Sequence, residues 1–131
     1  MCQKSNWIMR DTSIYISGPI GNGGKCTPEE QIQHVQNGED IYGRLIELGY
    51  APYCPHMSYY PDKRWRKEGS RELDHSAWMK LDEMWVEKCE YFFYMTPEQY
   101  GPSKGAAMEL EWAKEQGKTI FTDINEVPIA T

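Results

Sequence analysis

Hydrophobic and polar positions along the chain switch between a strand period and a helix period. Ser13-Ile14-Tyr15-Ile16-Ser17 is a β-prone run that stops at Gly18-Pro19, which predicts a first strand. A glycine-rich loop, Gly21-Asn22-Gly23-Gly24, follows it. Thr27-Pro28-Glu29-Glu30 then carries a helix-start signature: Thr at the N-cap, Pro in the first turn and Glu three residues after the Thr. Ile32, Val35, Ile41, Leu45 and Leu48 recur at roughly helical spacing, and Gly49 ends that helix. Residues 50–54 form a second strand interrupted by Pro52. Residues 55–70 mix aromatics, proline and charge without a period, and predict a long excursion over one end of the sheet. A helix is expected over 72–88, with Leu73, Ala77, Leu81, Met84 and Trp85 on its apolar face. Tyr91-Phe92-Phe93-Tyr94-Met95 is the most continuous apolar run and predicts a strand buried on both faces. After a loop over 96–102, Ser103 caps a helix that runs to about Gln116 and ends at Gly117; residues 119–122 form the last strand.

Strands alternating with helices predict an α/β domain with a parallel sheet of four or five strands, doubly wound with helices on both faces. The expected organisation is an irregular lead-in over 1–12, one domain over 13–122 and a short tail over 123–131, with no internal repeat or second domain. Ligands of such sheets bind beyond the carboxyl ends of the strands, which points to the loops after Ser17, Cys54 and Met95.

Composition narrows the partners. A 40% hydrophobic and 13% aromatic chain of 131 residues is globular in character and long enough to bury a core. Its formal net charge of −6, with no long basic run, argues against duplex DNA or RNA, which needs a cationic face. A small anion remains compatible, because a few backbone N–H groups suffice to hold one phosphate. Cys2, Cys26, Cys54 and Cys89 form no C-x-x-C pair, no metal-ligand spacing is present, and no apolar run approaches membrane-spanning length. With no signal peptide at its start, the chain is expected to be cytoplasmic, with reduced thiols and no membrane partner.

Three segments carry candidate chemistry. The loop at 21–25 is not a phosphate-cradling P-loop: Pro19 stands where the first glycine belongs, and Cys26 where Ser or Thr is required. Its glycines suit a tight turn with backbone close to a ligand, which makes Gly18, Ile20 and Gly21 candidate contacts. In Ser103-Lys104-Gly105-Ala106-Ala107-Met108-Glu109, Ser103 opens a helix whose N-terminus favours an anion. The small residues let a ligand approach, and Glu109 on the second turn could face a pocket; for the segment alone, a surface Glu on an amphipathic helix is the favoured reading. Asp82, near the end of its helix, reads alone as solvated, and Tyr15 reads alone as core.

Together these residues resemble the nucleoside 2-deoxyribosyltransferase-like family over roughly residues 13–122. Ile14-Tyr15-Ile16-Ser17-Gly18-Pro19-Ile20 is similar to the family's opening strand with its pocket-lining Tyr. The helix Leu81-Asp82-Glu83-Met84-Trp85-Val86-Glu87-Lys88-Cys89-Glu90 places Asp82 eight residues before Glu90, as the family places its catalytic Asp. Gly105 precedes Glu109 by four, as a Gly precedes the family's nucleophile. The resemblance implies a flavodoxin-like (Rossmann-like) fold and cleavage or exchange of an N-glycosidic bond. Glu109 would attack, Asp82 would serve the leaving base, and Tyr15 would position Glu109 or the sugar. Ser103 stands six residues before Glu109, where relatives acting on 5′-monophosphates tend to have Ser and those acting on free nucleosides Asp. Ser103, Lys104 and Gly105 would then hold a phosphate, and hydrolysis is favoured over base exchange. An N-capping Ser103 without a ligand is the simpler alternative. Pro19 departs from the Ser that phosphate-specific members often carry in the first loop. The base would meet the stretch 55–60, where His56 could hydrogen-bond its edge and Met57 and the aromatics could stack, although Tyr59 and Tyr60 could equally be a packed cover. Trp65 and Trp78 suit pocket closure or a subunit contact. The resemblance further implies a homodimer or higher homo-oligomer, with a neighbouring subunit completing the pocket.

No metal or organic cofactor is required by this chemistry. Three other readings compete: a non-catalytic nucleotide-binding module (a sensor or sequestering protein) on the same fold, an NAD-type glycohydrolase needing a larger cleft, and an FMN carrier. Gly18 to Gly24 lacks the Ser and Thr of the last.

Overall fold

The computed structural model describes residues 11–130; the expected lead-in lies outside these, but for Asp11 and Thr12. Four strands, β1 (Ser13–Ser17), β2 (Ala51–Tyr53), β3 (Tyr91–Tyr94) and β4 (Thr119–Phe121), form one all-parallel sheet in the order β2-β1-β3-β4. The helices are α1 (Pro28–Glu47), α2 (Tyr59–Glu68), α3 (His75–Lys88), α4 (Pro97–Tyr100) and α5 (Lys104–Glu115). The architecture is thus α/β and flavodoxin-like, with four strands. After β1 the chain moves to one neighbour, β2, and then crosses to the other, β3, so a switch point opens at the carboxyl end of β1.

Strand parity divides the core into two layers. Ile14 and Ile16 of β1, with Phe93 and Met95, face α1 and pack with Ile41, Leu45 and Leu48. Tyr15, Phe92 and Tyr94 face the other way and pack with Val86 of α3 and Ala106 and Ala113 of α5. Tyr15 stacks on Phe92 with ring centroids 5.5 Å apart. The central strands have no solvent-facing side, which explains their unbroken apolar runs. Helix α1 starts at the expected capping box: Thr27 Oγ1 accepts from the Glu30 N–H at 3.1 Å and Glu30 Oε1 accepts from the Thr27 N–H at 2.8 Å.

Several expectations are corrected. The aperiodic stretch 55–70 is helical: a 3-10 turn over Pro55–Ser58 leads into α2, whose Pro61 sits in the first turn, where a missing N–H costs no intrahelical bond. Helix α3 begins at His75 rather than at 72, because Asp74 caps it by accepting from the Ala77 N–H at 2.9 Å. Its expected apolar face is not its buried one. Val86 goes into the core, whereas Leu81, Met84 and Trp85 stay substantially exposed. The loop over 96–102 holds the single turn α4. Residues of the tail are docked: Val127 joins the core, the Ala130 N–H donates to the Leu48 carbonyl at 2.8 Å, and the Tyr50 hydroxyl donates to the Pro128 carbonyl at 2.9 Å.

Candidate functional site

A cavity of about 560 Å³ opens at the switch point. Its wall is built by the loop after β1 (Gly18, Ile20 to Gly24), the turn after β2 (Pro55, Ser58, Tyr59), the start of α5 (Ser103, Gly105, Ala106) and one face of α3. That face is His75, Trp78, Met79 and Asp82, spaced i, i+3, i+4, i+7. Gly18 is required where β1 passes β3: a Cβ there would stand 2.5 Å from the Met95 sulfur. Asn22 adopts φ 47° and is the one non-glycine with positive φ among the described residues; its Oδ1 accepts from the Lys104 N–H at 3.3 Å, tying the glycine loop to the start of α5.

Tyr15 and Ser17 share a parity on β1, so both face α5, and there they meet Glu109. The Ser17 hydroxyl donates to Glu109 Oε1 at 2.7 Å, inside the protein. The Tyr15 hydroxyl is buried beside the same carboxyl without a well-formed hydrogen bond to any described group, and burial and then the Glu109 charge hold its pKa well above the phenol range. Asp82, on the cavity wall, touches Glu109. Burial raises the pKa of Glu109, and the Asp82 charge raises it further; Asp82 is raised chiefly by burial. Two carboxyls this close and this poorly solvated hold a shared proton more tightly than either would alone in water.

Glu109 is only 6% exposed and lies one layer below the cavity wall. Gly105 and Ala106 lie one turn earlier on the same side of α5 and line the cavity, as does Asp82. Ser103 lines the cavity and caps α5 at once, accepting from the Ala106 N–H at 3.1 Å while its own proton stays available. Among the described residues no Lys or Arg lines the cavity, and Lys104 is exposed and off its wall.

The expected base contacts of His56 and Met57 are corrected. His56 is fully buried: its ring packs against Gly38 of α1, and its Nε2 lies 3.2 Å from the Pro19 carbonyl. Burial pushes its pKa down to about 4, so the ring is neutral, with Nε2 assigned as the protonated nitrogen because a carbonyl only accepts. His56 therefore supports the loop after β1 rather than a ligand. Met57 is exposed and off the cavity wall. Tyr59 and Trp78 line the cavity, whereas Tyr60 and Trp65 do not. Ser17, whose parity with Tyr15 is visible in the sequence, joins the site unexpectedly, as do Asp62, His75 and Met79, which no sequence signal marks. Among the described residues no group of three His, Cys, Asp or Glu could hold a metal ion, and no helix is long and apolar enough to cross a membrane. No protein-family model matches the chain, and no curated protein matches it.

Proposed function

We propose that the protein is an N-glycosidase of the nucleoside 2-deoxyribosyltransferase-like kind, cleaving the base–sugar bond of a nucleoside 5′-monophosphate or nucleoside. The observation that carries this reading is the buried Glu109 carboxyl, held by Ser17 and paired with Asp82 at a ligand-sized cavity. With the shared proton on Asp82, Glu109 is an anion and Asp82 an acid. Glu109 attacks C1′ as the C1′–N bond breaks, and the departing base takes its proton from Asp82. Water then attacks C1′ of the glycosyl ester, returns a proton to Asp82 and releases Glu109 as a carboxylate; a second base in place of water gives exchange. The start of α5 and the Ser103 hydroxyl suit a 5′-phosphate, with the helix dipole in place of a cationic side chain.

The exposed Leu81 and Met84 of α3 and Met108 of α5 suit a homo-oligomeric contact. The free thiols of Cys26, Cys54 and Cys89 suit the reducing cytoplasm.

The test is incubation with a panel of nucleosides and 5′-monophosphates, with free base followed by chromatography. Glu109→Ala and Glu109→Gln should lose release by more than about 1,000-fold while circular dichroism stays native. Unchanged turnover in those variants removes the assignment.

A further inference from the structure

The wall of the cavity carries an unbalanced charge. Among the described residues two acidic side chains, Asp62 and Asp82, line it and no Lys or Arg does. Asp62 is compensated, because its Oδ2 accepts from Arg66 Nε at 3.0 Å in an ion pair. Asp82 is not. It touches the Glu109 carboxyl, which is held by the Ser17 hydroxyl rather than by a cation. Among the described residues no Lys, Arg or His forms an ion pair with either group. With one proton between them the two carboxyls still carry a negative charge, in a poorly solvated place. A charge so placed is costly until a positive partner joins it.

Trp78 stands next to that charge. It precedes Asp82 by four residues on α3, so the two are neighbours on one helix face, and both line the cavity. Other aromatic rings of this region are engaged. Lys63 lies 5.4 Å from the centre of the Tyr59 ring, Arg71 lies 4.5 Å from that of Trp65, and Trp85 stacks on Tyr53. Trp78 meets no second ring and no cation among the described residues. Met79, on the same face, adds polarisable surface. An indole beside a carboxylate attracts a flat ring that bears positive charge, since the quadrupole of the indole and the charge of the carboxylate act in the same direction. A neutral base gains only the stacking surface.

We infer that the cavity selects a nucleoside whose base bears a positive charge, such as an N-alkylated purine or a pyridinium, over its neutral counterpart, with Trp78 and Asp82 as the selecting residues. The inference rests on the glycosidase reading for the sugar and for the bond that breaks. The incoming cation displaces the proton shared by Asp82 and Glu109 to solvent. A Glu109 oxygen then bonds to C1′ as the C1′–N bond breaks. The electron pair of that bond returns to the base nitrogen and cancels its charge, so the base departs neutral and takes no proton. Water next attacks C1′ of the ester, its proton passes to the Asp82 carboxylate, and Glu109 leaves as a carboxylate.

The test is binding, so that it can fail apart from catalysis. Glu109→Gln cannot attack and leaves Asp82 as the one anion of the pair. Calorimetric titration of that variant with nicotinamide riboside against its neutral 1,4-dihydro form, and with 7-methylguanosine against guanosine, should show the charged member bound at least about tenfold tighter. Adding Trp78→Leu should cut that preference by about fivefold, and adding Asp82→Asn instead should abolish it. Because the readout is a ratio between matched ligands, a general loss of stability leaves it interpretable. Equal binding within both pairs, no binding of any member, or a preference that survives Trp78→Leu or Asp82→Asn undiminished overturns the inference. So does N-methylnicotinamide, a cation without a sugar, if it binds as tightly as the riboside. Base release by the unaltered protein tests the glycosidase reading independently. Release from neutral nucleosides with no preference for charge keeps that reading and sinks the inference; a preference for charge without release sinks the reading and leaves a binding site for cationic nucleosides.

Discussion

Ser17 meets Glu109 because residues two apart on a strand share a face, and Tyr15 had already committed that face to α5. Its hydroxyl proton favours the charged carboxylate and so opposes the upward push of burial on Glu109. Ser17→Ala should therefore raise the pKa of the carboxyl pair. Since attack requires an ionised Glu109, the acid limb of the kcat/KM–pH profile should move to higher pH, with the plateau lowered roughly tenfold. A limb that stays in place would mean the hydroxyl merely fills space. At this scale the sequence was partly legible. Glu109, Asp82 and Tyr15 converge as the family resemblance implied, but His56 could not be placed from its neighbours. What buries it is Gly38, distant in sequence, whose lack of a side chain makes room for the ring.

That glycine sets a limit on α1. Glycine inside a helix costs about 1 kcal/mol relative to alanine, so Gly38→Ala would stabilise an isolated helix. Here a Cβ would run into the imidazole, whose Nε2 is held by the Pro19 carbonyl. The substitution should lower stability in urea by about 2 kcal/mol; a more stable variant would mean that the ring is free to move aside. Elements were legible where period and capping agreed, as in β1, α1 and α5. Helix α2 was hidden because Tyr-Tyr-Pro-Asp-Lys-Arg-Trp-Arg-Lys-Glu has no buried face to write a period. In α3 the spacing was helical but two faces competed. The Trp78, Met79 and Asp82 face lines the cavity, while Leu81 and Met84 remain outside.

For the molecule as a whole, two buried titrations oppose each other. The Glu109–Asp82 pair has folded-state pKa values above the ordinary carboxylate range. The stability it contributes is present below that ordinary range and is lost as pH rises through the raised values. His56 has the opposite sign: lowered from 6.5 to about 4, it contributes stability above 6.5 that is lost as pH falls toward 4. Thermal midpoints should accordingly decline from pH 6 to 9, by on the order of 5 °C, and Glu109→Gln should flatten that decline. A slope that the variant leaves intact would locate the lost proton elsewhere. The parallel sheet and its switch point were readable from alternating periods and one topological rule, whereas the partners of exposed side chains were not, since exposure alone names no partner. One local feature also bears on the ageing of the protein. Asn22 is followed by Gly23, whose unhindered backbone nitrogen readily attacks a preceding side-chain amide and expels ammonia. Deamidation there would replace the carbonyl that holds the Lys104 N–H with a carboxylate on the cavity rim. Stored protein would then lose affinity for anionic ligands first, while neutral ones still bound.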